Sequence, residues 1–122
     1  MLPQGPFACI LADPPWAFTT YSGEKTIPCR GDHQHYGTMG AADLRAMPIP
    51  ELAADDAALF MWVVDSHMEE AMTLGKAWGY TYKTDLHYWL KLSKHGKRRI
   101  SMGYYTRKQI EIVLLFTKSP PK

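Results

Sequence analysis

The chain has 122 residues, 46% apolar and 12% aromatic, which suits one domain with a sizeable core. Its 14 Lys plus Arg against 12 Asp plus Glu leave a formal net charge of +2, too mild to imply a nucleic-acid partner unless the charge clusters. No apolar run approaches the roughly 18 residues of a membrane span, and Phe7–Ala12 is too short for a secretory leader and runs straight into an acid.

Residues 7–12 (Phe-Ala-Cys-Ile-Leu-Ala) carry apolar side chains at every position, the pattern of a strand buried on both faces. Residues 17–40 are polar, contain Gly23, Pro28, Gly31, Gly37 and Gly40, and keep no period, which predicts a long functional loop over substrate or cofactor. A short helix is expected at Asp43–Met47, stopped by Pro48 and Pro50, with one further turn at Leu52–Ala54. Ala57–Val64 predicts a second buried strand. Asp65 or Ser66 would then cap a helix over residues 67–78 that Gly79 ends. Tyr80–Leu92 reads as a third strand with an irregular middle at Asp85. A basic loop over residues 93–101 follows, and Gln109–Thr117 is a fourth strand. The first two strands, joined by a crossover, should be parallel, and the last two antiparallel. The expected fold is therefore α/β with a mixed sheet. Its first strand would lie at an apolar edge that a missing part of the sheet or a partner surface should cover. Cys9 in the first strand and Cys29 in the polar loop lie in unlike surroundings, so no disulfide and a reducing, cytoplasmic compartment are expected.

The densest chemical signal is Asp13-Pro14-Pro15-Trp16, directly after the first strand. An acid and a proline carbonyl presented by a stiff backbone can accept both hydrogens of an amino group on a planar base. Trp16 offers a stacking face or a wall for that base. The N6 lone pair of adenine is delocalised into the ring, so it is a poor nucleophile. Accepting both N–H bonds draws the nitrogen towards a tetrahedral form and aims its lone pair at an incoming methyl. The alternative is an ordinary turn acid with a rigid exit from the strand. Tyr21 and Tyr36 either close over the base or anchor their loop.

Cys29, Asp32, His33 and His35 fall within one short segment. A structural metal site usually draws paired ligands from two separated segments, however, so no metal is expected. Lys91, Lys94, His95, Lys97, Arg98 and Arg99, followed by Tyr104, Tyr105, Arg107 and Lys108, form a basic cluster. It is either a solvated loop or a set of phosphate contacts that would hold a strand in place irrespective of sequence. Asp65 caps the helix or faces a ligand beyond the carboxyl end of its strand. Glu111 opens an apolar strand, and pairing with Arg107 or Lys108 is favoured over a position facing the cofactor.

The chain resembles the N6-adenine methyltransferase family that includes the eukaryotic mRNA adenosine methylation enzyme and its bacterial and phage relatives. The resemblance rests on Asp13-Pro14-Pro15-Trp16, Tyr36-Gly37-Thr38-Met39, Leu59-Phe60-Met61-Trp62-Val63 and Trp78-Gly79-Tyr80. It extends to Trp89 with Lys91, and to Gly103-Tyr104-Tyr105-Thr106-Arg107 leading to Glu111 and Leu114. It implies a class I, Rossmann-like, S-adenosylmethionine-dependent methyltransferase of permuted order acting on adenine N6 in DNA or RNA. Asp13, Pro14, Pro15 and Trp16 would be catalytic. Tyr36, Lys94, Lys97, Arg98, Arg99 and Tyr104 would meet substrate, and Asp13, Asp65 and Glu111 would face the cofactor. Compact proteins of this type look bacterial or phage-encoded, and homo- or hetero-oligomers fit the family. Its members continue with a further strand, a helix and a tryptophan-glycine-asparagine element, so a partial sheet, incomplete at the C-terminus, is expected. The competing reading is a catalytically silent nucleic-acid-binding subunit or an inactive fragment of such an enzyme.

Overall fold

The computed structural model describes residues 2–17, 37–99 and 108–120. Strand β1 (Phe7–Ala12) is followed by the short helices α1 (Ala41–Ala46) and α2 (Ile49–Leu52). Then come β2 (Ala53–Val63), a 3-10 turn (Asp65–His67), helix α3 (Met68–Ala77), β3 (Thr81–Leu90) and β4 (Ile110–Thr117). The strands form one mixed sheet in the order β1-β2-β4-β3. β1 runs parallel to β2, and β4 runs antiparallel to both β2 and β3. The carboxyl ends of β1, β2 and β3 therefore lie together with the start of β4. This is the permuted, mixed arrangement expected of part of a class I methyltransferase sheet.

The core lies on one face of the sheet. Leu59, Met61 and Val63 of β2 pair with Phe116, Leu114 and Ile112 of β4, and alternation turns all six towards α3. Helix α3 lays Ala71, Leu74 and Gly75 against them. Gly75 sits inside a helix, where glycine is costly, because a Cβ there would overlap the Phe116 ring. The helix ends in a Schellman motif. Gly79 takes φ +83°, its N–H donates to the Lys76 carbonyl, and the Tyr80 N–H donates to the Gly75 carbonyl. Helix α1 is tied to α3 by the Trp78 indole N–H, which donates to the Leu44 carbonyl at 3.0 Å. Among the described residues no helix is long and apolar enough to cross a membrane.

Three expectations need correction. β1 is not buried on both faces: Cys9 is exposed and Leu11 keeps 68% of its surface, because β1 is an edge strand and no described element covers the second face of the sheet. β2 begins at Ala53 and takes in Asp55 and Asp56, so the further helical turn lies at Ile49–Leu52 and not at Leu52–Ala54; α1 does end just before Pro48, and Pro50 then sits in the first turn of α2. Proline in a first helical turn lacks only an N–H that had no partner there. Neither Asp65 nor Ser66 makes a side-chain cap; Asp65 opens the 3-10 turn and His67 occupies the N-cap of α3.

The irregular middle of β3 is present as two register shifts, between Tyr82 and Thr84 and between Asp85 and His87. Each inserts a residue, so Tyr82, Asp85 and Tyr88, which would alternate in a regular strand, share a face. Both tyrosine hydroxyls donate to the Asp85 carboxylate. This bond is the leading cause of the rise in the Tyr82 hydroxyl pKa above its ordinary 10.0.

Candidate functional site

Four charged residues lie at the shared end of the sheet, and three of them, Asp13, Lys91 and Glu111, interact. Asp13 follows β1, Asp65 follows β2, Lys91 follows β3, and Glu111 is the second residue of β4. Ala12 pairs with Met61 on the core side, so the next residue, Asp13, falls on the open face. Trp89 pairs with Glu111, and Trp62 meets Trp89 edge to face at 5.7 Å on that same side. The Lys91 N–H donates to the Gln109 carbonyl, which sets Lys91 beside the start of β4. Its ammonium pairs with Glu111 and stands 5.3 Å from the Trp89 ring.

For Lys108 the expected pairing with Glu111 is thereby corrected. Glu111 pairs with Lys91, and Lys108 pairs with Asp65 instead. Arg107, Tyr36, Tyr104 and the Cys29–His35 segment lie outside the described residues. Among the described residues no three His, Cys, Asp or Glu side chains come close enough to hold a metal.

Asp13 feels this cluster. Burial of one flank pushes its carboxyl above the ordinary 3.8, the Glu111 carboxylate pushes it the same way, and Lys91 opposes both. Beyond it the chain makes a tight turn. The Trp16 N–H donates to the Pro14 carbonyl at 2.8 Å, and the Met39 N–H donates to the Pro15 carbonyl at 3.0 Å. A carbonyl has two lone pairs, so the Pro14 oxygen keeps one for a second donor.

Trp16 departs from the expected stacking face. Only 7% of it is exposed, and its indole N–H points to the Trp62 carbonyl at 3.4 Å. Its ring lies against the imidazole of His67 at 5.7 Å and 30°. The ring is a wall of the turn, packed from behind, and it also borders a cavity of about 300 Å³ with Leu44, Arg45 and Glu70. Sequence reasoning passed over His67 as a site residue and gave Lys91 to the basic cluster and the family resemblance, not to the group around Asp13. The available signal was position: Lys91 directly follows the end of β3, and His67 closes the short turn after β2, at the edge where Asp13 sits.

The basic segment is not an open loop but a hairpin. Leu92 bridges Arg98, Ser93 N–H donates to the Lys97 carbonyl at 2.7 Å, and Gly96 turns the chain at φ +70°. Lys94, Lys97, Arg98 and Arg99 are all exposed on it. Because Lys91 begins this hairpin, the basic strip runs outward from the acidic cluster.

The MT-A70 family profile matches residues 7–122. The chain is similar to the Type II methyltransferase M.MunI of Mycoplasma sp, 32% identical over 130 residues covering 96% of this chain and 53% of that protein. It is also similar to the N(6)-adenosine-methyltransferase MT-A70-like protein of Drosophila melanogaster, 34% identical over 90 residues. The human N(6)-adenosine-methyltransferase catalytic subunit METTL3 is 33% identical over 90 residues. The last two matches cover 74% of this chain and 12% and 13% of those proteins. The chain thus spans about half the length of the first relative and a small part of the others.

Proposed function

Because this chain belongs to the MT-A70 family, we propose that it transfers a methyl group from S-adenosylmethionine to the N6 amino group of adenine in DNA or RNA. The observation that carries this reading is the convergence of Asp13, Lys91 and Glu111 at one end of the sheet, beside a turn that leaves the Pro14 carbonyl a free lone pair.

The donor set suits the cofactor: the Asp65 and Glu111 carboxylates match its cationic groups, and Lys91 matches its carboxylate. Bound there, it would supply an electrophilic methyl on a sulfonium. Asp13 accepts one N6 hydrogen and the Pro14 carbonyl accepts the other, which localises the nitrogen lone pair. Positive charge grows on N6 as the new bond forms, and the Asp13 carboxylate stabilises that charge more than it stabilises the neutral amine. The proton leaves to water afterwards. Trp16 holds the turn that presents these acceptors. Lys94, Lys97, Arg98 and Arg99 supply phosphate contacts, with Tyr36 and Tyr104 as further substrate contacts.

The test is transfer of a tritiated methyl to adenine-containing DNA and RNA, by the wild type and by Asp13→Ala. Activity that falls about 100- to 1,000-fold in the variant, with a much smaller change in cofactor affinity, is the expected result. Turnover by Asp13→Ala close to wild type would sink the mechanism. Tight nucleic-acid binding with no turnover in either protein would favour the silent binding subunit, a reading supported by the exposed basic hairpin.

A further inference from the structure

We propose that His67 is the positioning residue of the acceptor slot, an inference that rests on the methyl-transfer reading above. His67 is buried, with 7% of its surface exposed, and is 50 residues from the turn it touches. Its Nε2 lies 3.1 Å from the Ala17 carbonyl and its Nδ1 lies 3.0 Å from the Ser66 hydroxyl. A carbonyl only accepts, so Nε2 carries a proton. In the neutral ring Nδ1 then accepts the Ser66 O–H, and this pair of bonds fixes the tautomer. The imidazole also backs the Trp16 ring, and the Glu70 carboxylate stands 3.8 Å from Nε2.

These contacts join a rigid element to a catalytic one. His67 is the N-cap of α3, which is held to the sheet by Ala71, Leu74 and the close approach of Gly75 to Phe116. Among the described residues, the turn it grips is also held by Met39 on the Pro15 carbonyl and by the Trp62 carbonyl on the Trp16 indole. His67 adds a hold at the exit of the turn. With Ala17 and the Trp16 ring held, the Pro14 carbonyl keeps the direction that its bond with the Trp16 N–H imposes. Releasing that end would misplace an acceptor without removing it, a fault that costs rate more than binding.

The experiment compares His67→Phe, which keeps a ring against Trp16 but loses the donor, with His67→Gln, which returns an N–H donor near the Nε2 position. In His67→Phe, kcat should fall roughly 10- to 100-fold with KM for both substrates within about twofold, and His67→Gln should recover most of the loss. Independently of turnover, hydrogen exchange of the Trp16 and Met39 amides should accelerate at least tenfold in His67→Phe and stay near wild type in His67→Gln. Should the wild-type chain transfer no methyl, the function above fails and the exchange rates alone decide this proposal. Unchanged exchange in His67→Phe overturns it. So does an equal loss in both variants accompanied by a lowered urea midpoint, which would make His67 a core packing residue.

Discussion

Lys91, just past the end of β3, forms an ion pair with Glu111 on β4, and both groups act on the carboxyl of Asp13 at the end of β1. Three strands thus combine to set the charge of one residue. Glu111→Gln should lower the Asp13 pKa, because it removes a like charge and releases Lys91. Lys91→Met should raise it further. Carbon-detected NMR titration of the Asp13 carboxyl reads both shifts, and movement in the opposite directions would show that other groups govern this acid.

The same perturbation carries a stability signature. The Asp13 pKa is raised in the fold, so between 3.8 and the folded value the native state binds more protons than the unfolded chain. Its contribution is present below 3.8 and is lost as pH rises through the folded pKa. Relative to Asp13→Asn, the wild type should therefore lose stability as pH climbs through that window. Urea midpoints of the two proteins measured across the window check the sign.

The basic hairpin should bind backbone and not sequence. Replacing Lys94, Lys97, Arg98 and Arg99 together by Ala should weaken binding to any nucleic acid. It should also reduce the log–log salt slope by about 0.7 per lost contact on single strands and 0.9 on duplex. Cofactor binding should stay nearly unchanged. Fluorescence anisotropy across a salt series measures the slope, and an unaltered slope would return these residues to a solvated hairpin.

Gly75→Ala reverses the usual helix rule. Propensity alone predicts a gain of about 1 kcal/mol, but the new methyl would overlap the Phe116 ring. We expect a net loss of roughly 1–3 kcal/mol from overpacking, seen as a lower urea midpoint at unchanged slope. A stabilised variant would mean that Phe116 swings aside freely.

The four strands, the helix ended by Gly79 and the family motif at Asp13–Trp16 were legible in the sequence because each is a local matter. Apolar runs, a left-handed glycine and an acid followed by two prolines act within a few residues of themselves. Even the irregular Asp85 region showed as a break in pattern. What only the tertiary structure decided was who meets whom. Glu111 takes Lys91 and leaves Lys108 to Asp65, because the register of β3 on β4 sets Lys91 beside it. Trp16 turns inward onto His67, whose imidazole also reaches the Ala17 carbonyl 50 residues away. β1, apolar at every position, still exposes Leu11, because covering a strand face depends on elements elsewhere in the fold and leaves no mark in the strand's own composition.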